Sequence, residues 1–87
     1  MSRQHHRLKT ETEFFQAVEA GIKKFEIRRD DRGFKVHDMV CLEEVVNGVP
    51  TGREAGPFEI SYVLTGDEAG RYGLGKGHCI FSWFGLR

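Results

Sequence analysis

Apolar and polar positions alternate with two different periods along this chain, and the periods divide it into one helix and several strands. Phe14, Phe15, Val18 and Ile22 recur at helical spacing, which predicts an amphipathic helix over Glu11 to Ala20. Thr10 and Glu13 stand in the Ser/Thr-x-x-Glu relation of a capping box at its start. Gly21 sits at its end, where a left-handed terminating residue belongs. Elsewhere the period is two. Lys24–Arg29 reads as a strand, with Phe25 and Ile27 on one face and Lys24, Glu26 and Arg28 on the other.

Asp30-Asp31-Arg32-Gly33 is a turn with Gly33 free to take positive φ, and a strand follows over Met39–Val46, rich in β-branched valines. Asn47-Gly48 is a hairpin signal, since both residues tolerate the positive φ of a tight turn. Val49–Arg53 pairs back briefly before Glu54-Ala55-Gly56 loosens the chain. Phe58, Ile60, Tyr62 and Leu64 then alternate with Glu59, Ser61 and Val63. Residues 66–78 carry five glycines and read as a loop, and the apolar run His78–Phe84 reads as a strand buried on both faces. Residues 3–9 supply a polar first strand at an edge. One main helix after the first strand, with a mostly antiparallel sheet of about five or six strands, gives an α+β class; at this size the sheet closes into a small barrel plugged at one end by the helix.

The 87 residues make one small domain, and seven Phe, two Tyr and one Trp supply its core. Net charge is zero with His neutral, which argues against nucleic-acid binding by bulk electrostatics. The charge is unevenly placed, however: residues 1–35 hold nine Lys/Arg against six Asp/Glu, and residues 36–87 hold four against seven. A local basic patch near Lys23 to Lys35 is therefore open, and local charge steers ligands. Cys41 and Cys79 lie in apolar strand-like runs and read as reduced core thiols. Without a Cys-x-x-Cys pair or clustered ligands, neither a metal nor any other cofactor is expected. No apolar run is long enough for a membrane and the start of the chain is polar, so a cytoplasmic, membrane-free protein is expected.

The chemistry concentrates between Gly21 and Arg32. Lys24, Glu26 and Arg28, followed by Arg29, Asp30, Asp31 and Arg32, form either a solvated sheet face or a compact polar site for an anion or nucleotide; periodicity by itself favours the solvated face. Strict alternation sets Lys23 opposite Glu26 and Arg28, so a compact site requires a bulge or twist after Gly21. Gly73-Leu74-Gly75-Lys76-Gly77 lacks the ending and following helix of a phosphate-binding loop.

Gly21-x-Lys23-x-x-Glu26-x-Arg28 resembles the Gly-x-Lys-x-x-Glu-x-Arg signature of the ASCH superfamily, whose members have a PUA-like β-barrel. Phe14-Phe15-x-x-Val18-x-x-Gly21 resembles the helix before that signature. Arg32-x-Phe34-x-Val36-x-Asp38 resembles the segment after it, with His37 where the family often has Gly. The resemblance spans about residues 6–84. It implies a cleft beside the helix suited to RNA or a modified nucleoside or nucleotide. Some relatives are amidohydrolases acting on acetylated cytidine and others are linked to RNA cleavage; the amidohydrolases resemble Lys-x-x-Thr at this place, whereas this chain has Lys23-x-x-Glu26.

The expected function is thus an RNA- or modified-nucleotide-binding module, the alternative a small hydrolase on a modified nucleoside or RNA with Lys23 and Glu26 as the acid–base pair. Arg28 suits a planar, bidentate contact to phosphate or a base edge. Lys23 supplies a point charge, or a lowered-pKa base if desolvated. Glu26 orients Lys23 or accepts from a base amino group. Arg29, Arg32 and Lys35 either guide a phosphate backbone or decorate a solvated turn. Tyr72 stacks on a base or simply tops the glycine-rich loop; Trp83 stacks or belongs to the core. His37 and His78 are acid–base groups or structural. Any protein partner is left unspecified by the sequence.

Overall fold

The computed structural model describes residues 3–85. Five strands form one sheet in the order β1-β3-β4-β5-β2: β1 His5–Glu11, β2 Phe25–Arg29, β3 Met39–Val46, β4 Val49–Thr65 and β5 His78–Trp83. Helix α1 spans Thr12–Glu19 and a short α2 spans Gly66–Ala69, followed by one 3-10 turn over Gly70–Tyr72. The β1–β3 pair is parallel and the other three pairs are antiparallel. The expected mostly antiparallel sheet, with its main helix after the first strand, is present with five strands and a second short helix. The ladders do not close on themselves, so β1 and β2 remain the outer strands.

Phe15 and Val18 turn inward from α1 and pack with Leu8, Val40, Leu42, Phe58, Ile60, Cys79, Phe81 and Trp83. Trp83 stacks on Phe58, with centroids 4.9 Å apart and planes at 15°, so its indole is a core element. Phe14 and Ile22, also expected on the buried stripe, face solvent: the eight-residue helix covers only one narrow seam, and Ile22 lies beyond its end, past Gly21. The helix ends as expected: Gly21 has φ 75°, and the amides of Ile22 and Lys23 both reach back to the carbonyl of Ala17. Its start differs. Thr10 still belongs to β1, and Glu11 occupies the N-cap without a side-chain capping bond. The capping box lies elsewhere, at Thr65 and Glu68, where it starts α2 within the expected loop.

Met39–Val46 and the Asn47-Gly48 turn, with φ 50° and 82°, match the expectation. Beyond the turn the chain does not loosen: β4 runs unbroken for 17 residues, with its register against β3 shifted twice. A further shift against β5 between Ile60 and Tyr62 rotates the strand. Tyr62 is therefore thrown outward, and Val63 packs on the core in its place. In β5 only alternate residues, Cys79, Phe81 and Trp83, are buried. Cys41 is half-exposed rather than a core thiol, and Cys79 is buried; both are free.

Candidate functional site

The apolar rule inverts on β2. Glu26 is 5% exposed while Phe25 and Ile27 are 43% and 57% exposed. Register explains this: Glu26 and Arg28 lie across from Phe81 and Cys79, on the inner face of β5, and Phe25 and Ile27 lie across from Ser82 and Ile80 on its outer face. The charged face of this strand is thus the one turned toward the core, at the side of the sheet that faces β1.

A carboxylate in that position is costly unless it is paired and hydrogen-bonded, and Glu26 is both. Its Oε1 accepts from Lys23 Nζ; its Oε2 accepts from Arg28 Nε at 3.2 Å and Nη2 at 2.8 Å. Lys23 precedes β2, in the turn that leaves α1, so strand alternation does not govern its side chain. It comes round to Glu26 and donates as well to the carbonyl of Phe25 at 2.6 Å. Its ammonium lies 4.9 Å from the Phe25 ring centroid and 5.9 Å from that of Phe14, within the range of cation–π attraction. Arg28 reaches across the gap between the outer strands: Nη2 donates to the Lys9 carbonyl at 2.7 Å and to Thr10 Oγ1 at 3.2 Å on β1. The gap is narrow enough for one guanidinium to touch both strands.

Lys23, Glu26 and Arg28 therefore form a single cluster with one surplus positive charge. Glu26 Oε1 and Oε2 are both occupied by donors, whereas Arg28 Nη1 has no acceptor among the described residues. The cluster is better arranged to hold an anion or a hydrogen-bond acceptor than to remove a proton. Two recesses open beside it: one of about 400 Å³ between β1 and β2, reached by Arg28, Arg29 and His78, and one of about 370 Å³ on the side of Phe14 and Phe25.

The other expected site residues divide. Arg29 is exposed, without an ion-pair partner among the described residues, and joins the β1–β2 recess. Arg32 donates from Nη1 to the Arg7 carbonyl at 3.1 Å, a second side-chain bridge to β1. The Lys35 side chain is exposed. Tyr72 lies in the 3-10 turn, 76% exposed, with the Arg71 guanidinium 4.9 Å from its ring, and lines neither recess. His37 is exposed and bonded to Glu59 at 2.7 Å. His78 stands across from Arg29 in the β2–β5 register. Among the described residues no three His, Cys, Asp or Glu side chains converge as metal ligands, and no helix is long and apolar enough to cross a membrane.

Sequence reasoning did not anticipate Thr10 or the Lys9 carbonyl as parts of the site. Their signal is tertiary, since it is the curl of the sheet that brings β1 opposite β2. It did not single out His6 either. That residue is buried and bonded through Nε2 to Asp38 at 2.9 Å. Asp38 also accepts from the backbone amides of Gln4 and Lys35 and so fixes the segment that carries Arg32 and Phe34.

A family model described as "Domain of unknown function (DUF3850)" matches residues 5–83. The chain belongs to that family. It is also similar to an uncharacterized 12.9 kDa protein in the GpA 3' region of Escherichia phage P2, 39% identical over 49 residues, which cover 56% of this chain and 45% of that protein. The match thus spans less than half of that relative's length.

Proposed function

We propose that this DUF3850 domain is an RNA- or modified-nucleotide-binding module of the ASCH kind, with the PUA-like barrel as its architecture. The carrying observation is Glu26, held almost wholly out of solvent between Lys23 and Arg28 at the edge of an open recess. Surface ion pairs contribute roughly 0–1 kcal/mol and a buried cluster is weak as a source of stability, so retention of three charges at the rim of a small core points to a ligand. The side-chain bridge from Arg28 to β1 supports the barrel reading, because it draws the two outer strands together where a closed barrel would pair them.

The hydrolase reading has less support. An acid–base pair needs an atom free to exchange a proton with substrate, and here Lys23 and Glu26 are bonded to each other.

The test is binding of a fluorescent single-stranded RNA. Arg28→Ala is expected to weaken it by ~1–3 kcal/mol while the domain stays folded. With two or three phosphates engaged, log affinity should fall with log salt at a slope of roughly −1.5 to −2. Equal affinity of folded wild type and variant, or a flat salt response, counts against the proposal. Release of acetate from acetylated cytidine, abolished by Lys23→Ala, would turn the assignment to the hydrolase.

A further inference from the structure

The two recesses beside Glu26 differ in chemistry but share Phe14, Glu26 and Ile27 in their walls. The one between β1 and β2 is polar and carries Lys9, Arg28 and Arg29 against Glu11 and Glu26. Lys9 and Arg29 have no ion-pair partner there among the described residues. The other recess is walled by Phe14, Phe25 and Ile27, with Lys23 the one cation in it. Phe14, 48% exposed, belongs to the helix and Phe25 to the strand, so two separate elements leave apolar surface uncovered at one place. Such surface next to a charged group is a cost in water without a partner to cover it.

Resting on the nucleotide reading above, we infer that the paired recesses divide a single phosphorylated nucleotide between them: the base lies against Phe14, Phe25 and Ile27, and the phosphate sits on the Arg29 and Lys9 side. Three observations converge on this division. Rings at the edge of a cation site give a base both a stacking surface and a charge to polarise it. The Glu26 oxygens are already engaged by Lys23 and Arg28, so the cluster turns donors toward the ligand, which suits a phosphate or a carbonyl edge. Finally, Phe14, Glu26 and Ile27 line both recesses, so the two adjoin at the outer edge of β2 beneath the helix. Tyr72, outside both, takes no part.

Labelled protein is titrated with guanosine 5′-monophosphate, guanosine and ribose 5-phosphate, and amide shifts are followed by NMR. The nucleotide is expected to bind about tenfold more tightly than either fragment, the effect of one charge-assisted phosphate contact or one stacked base. Arg29→Ala should lower nucleotide affinity to that of guanosine and leave guanosine unchanged. Phe25→Ala should weaken guanosine and the nucleotide but not ribose 5-phosphate, with Phe14→Ala as a second probe from the helix. All three positions are exposed, and dispersed amide spectra confirm the fold. Ribose 5-phosphate binding as well as the nucleotide, or silence of both Arg29→Ala and the two Phe variants, overturns the division; RNA binding that persists in that case leaves the nucleic-acid reading standing. Absence of binding to RNA and to all three probes ends both.

Discussion

Five polar residues are buried among the described residues: His6, Thr10, Glu26, Asp38 and Glu44. Each has a named partner, and no buried side-chain polar atom lacks one among the described residues. Asp38 shows what such satisfaction does to titration. Burial pushes its carboxyl up, but the hydrogen bonds from His6 and from the amides of Gln4 and Lys35 outweigh burial and hold it below its ordinary value of 3.8. Glu44 is likewise held below its ordinary 4.5 by the hydroxyls of Thr12 and Thr51, each 2.6 Å away. A carboxyl lowered by folding binds its proton more readily in the unfolded chain. Its stabilising contribution is therefore complete above the ordinary carboxyl range and is lost as pH falls through the lowered folded value. Wild type should lose stability in urea as pH drops below about 4, and Asp38→Asn should flatten that acid limb while being less stable at neutral pH. An unchanged acid limb in the variant would show that Asp38 is not the linked group.

Elements were legible where a signal was local and strong. Asn47-Gly48 marks a tight turn because few other pairs tolerate two positive φ values, and Met39–Val46 follows from its valines. The signature from Gly21 to Arg28 was found as a run of residues, but its meaning was not readable: alternation separates two faces without saying which one faces the core, and on β2 it is the charged one. The long β4 was hidden for a similar reason, since bulges break the alternation that identifies a strand. The residues 66–78 looked structureless because of their glycines, yet Thr65 and Glu68 carry the capping box that starts α2, and Gly66 is small for a packing reason. A Cβ on Gly66 would lie 2.2 Å from the Gly75 carbonyl oxygen, against rigid backbone. Gly66→Ala should therefore cost ~1–3 kcal/mol in denaturant unfolding. Gly70 sits four residues on with φ −58°, and a Cβ there would meet nothing within 4 Å; Gly70→Ala should be neutral or stabilise by up to ~1 kcal/mol through the unfolded chain. Equal losses at the two positions would mean that the α2 region is destabilised by composition, not by the contact.

At the scale of the molecule, the two outer strands pose a problem that the site residues solve. Outer strands expose unpaired backbone groups, which invite pairing with another chain. Here cations from neighbouring segments occupy such groups: Arg28 and Arg32 take the carbonyls of Lys9 and Arg7 on β1, and Lys23 takes that of Phe25 on β2. Two of the three cations are also those that hold Glu26, so the Glu26 cluster and the β1–β2 seam are one network. Lys in place of Arg28 keeps the charge but loses the Nε donor to Glu26 and the rigid planar fork that aims Nη2 at Glu26 and the Lys9 carbonyl together. Arg28→Lys should therefore leave the β4–β5 centre of the sheet protected in hydrogen exchange and raise exchange along β1 and β2 together, with opening free energies lower by ~1–2 kcal/mol. Arg32→Ala, which breaks the bridge to the Arg7 carbonyl and a long, exposed pair with Asp31 but leaves Glu26 untouched, should loosen β1 and spare β2. Faster exchange confined to β2 in Arg28→Lys would separate the cluster from the seam and leave the bridge to β1 without a structural role.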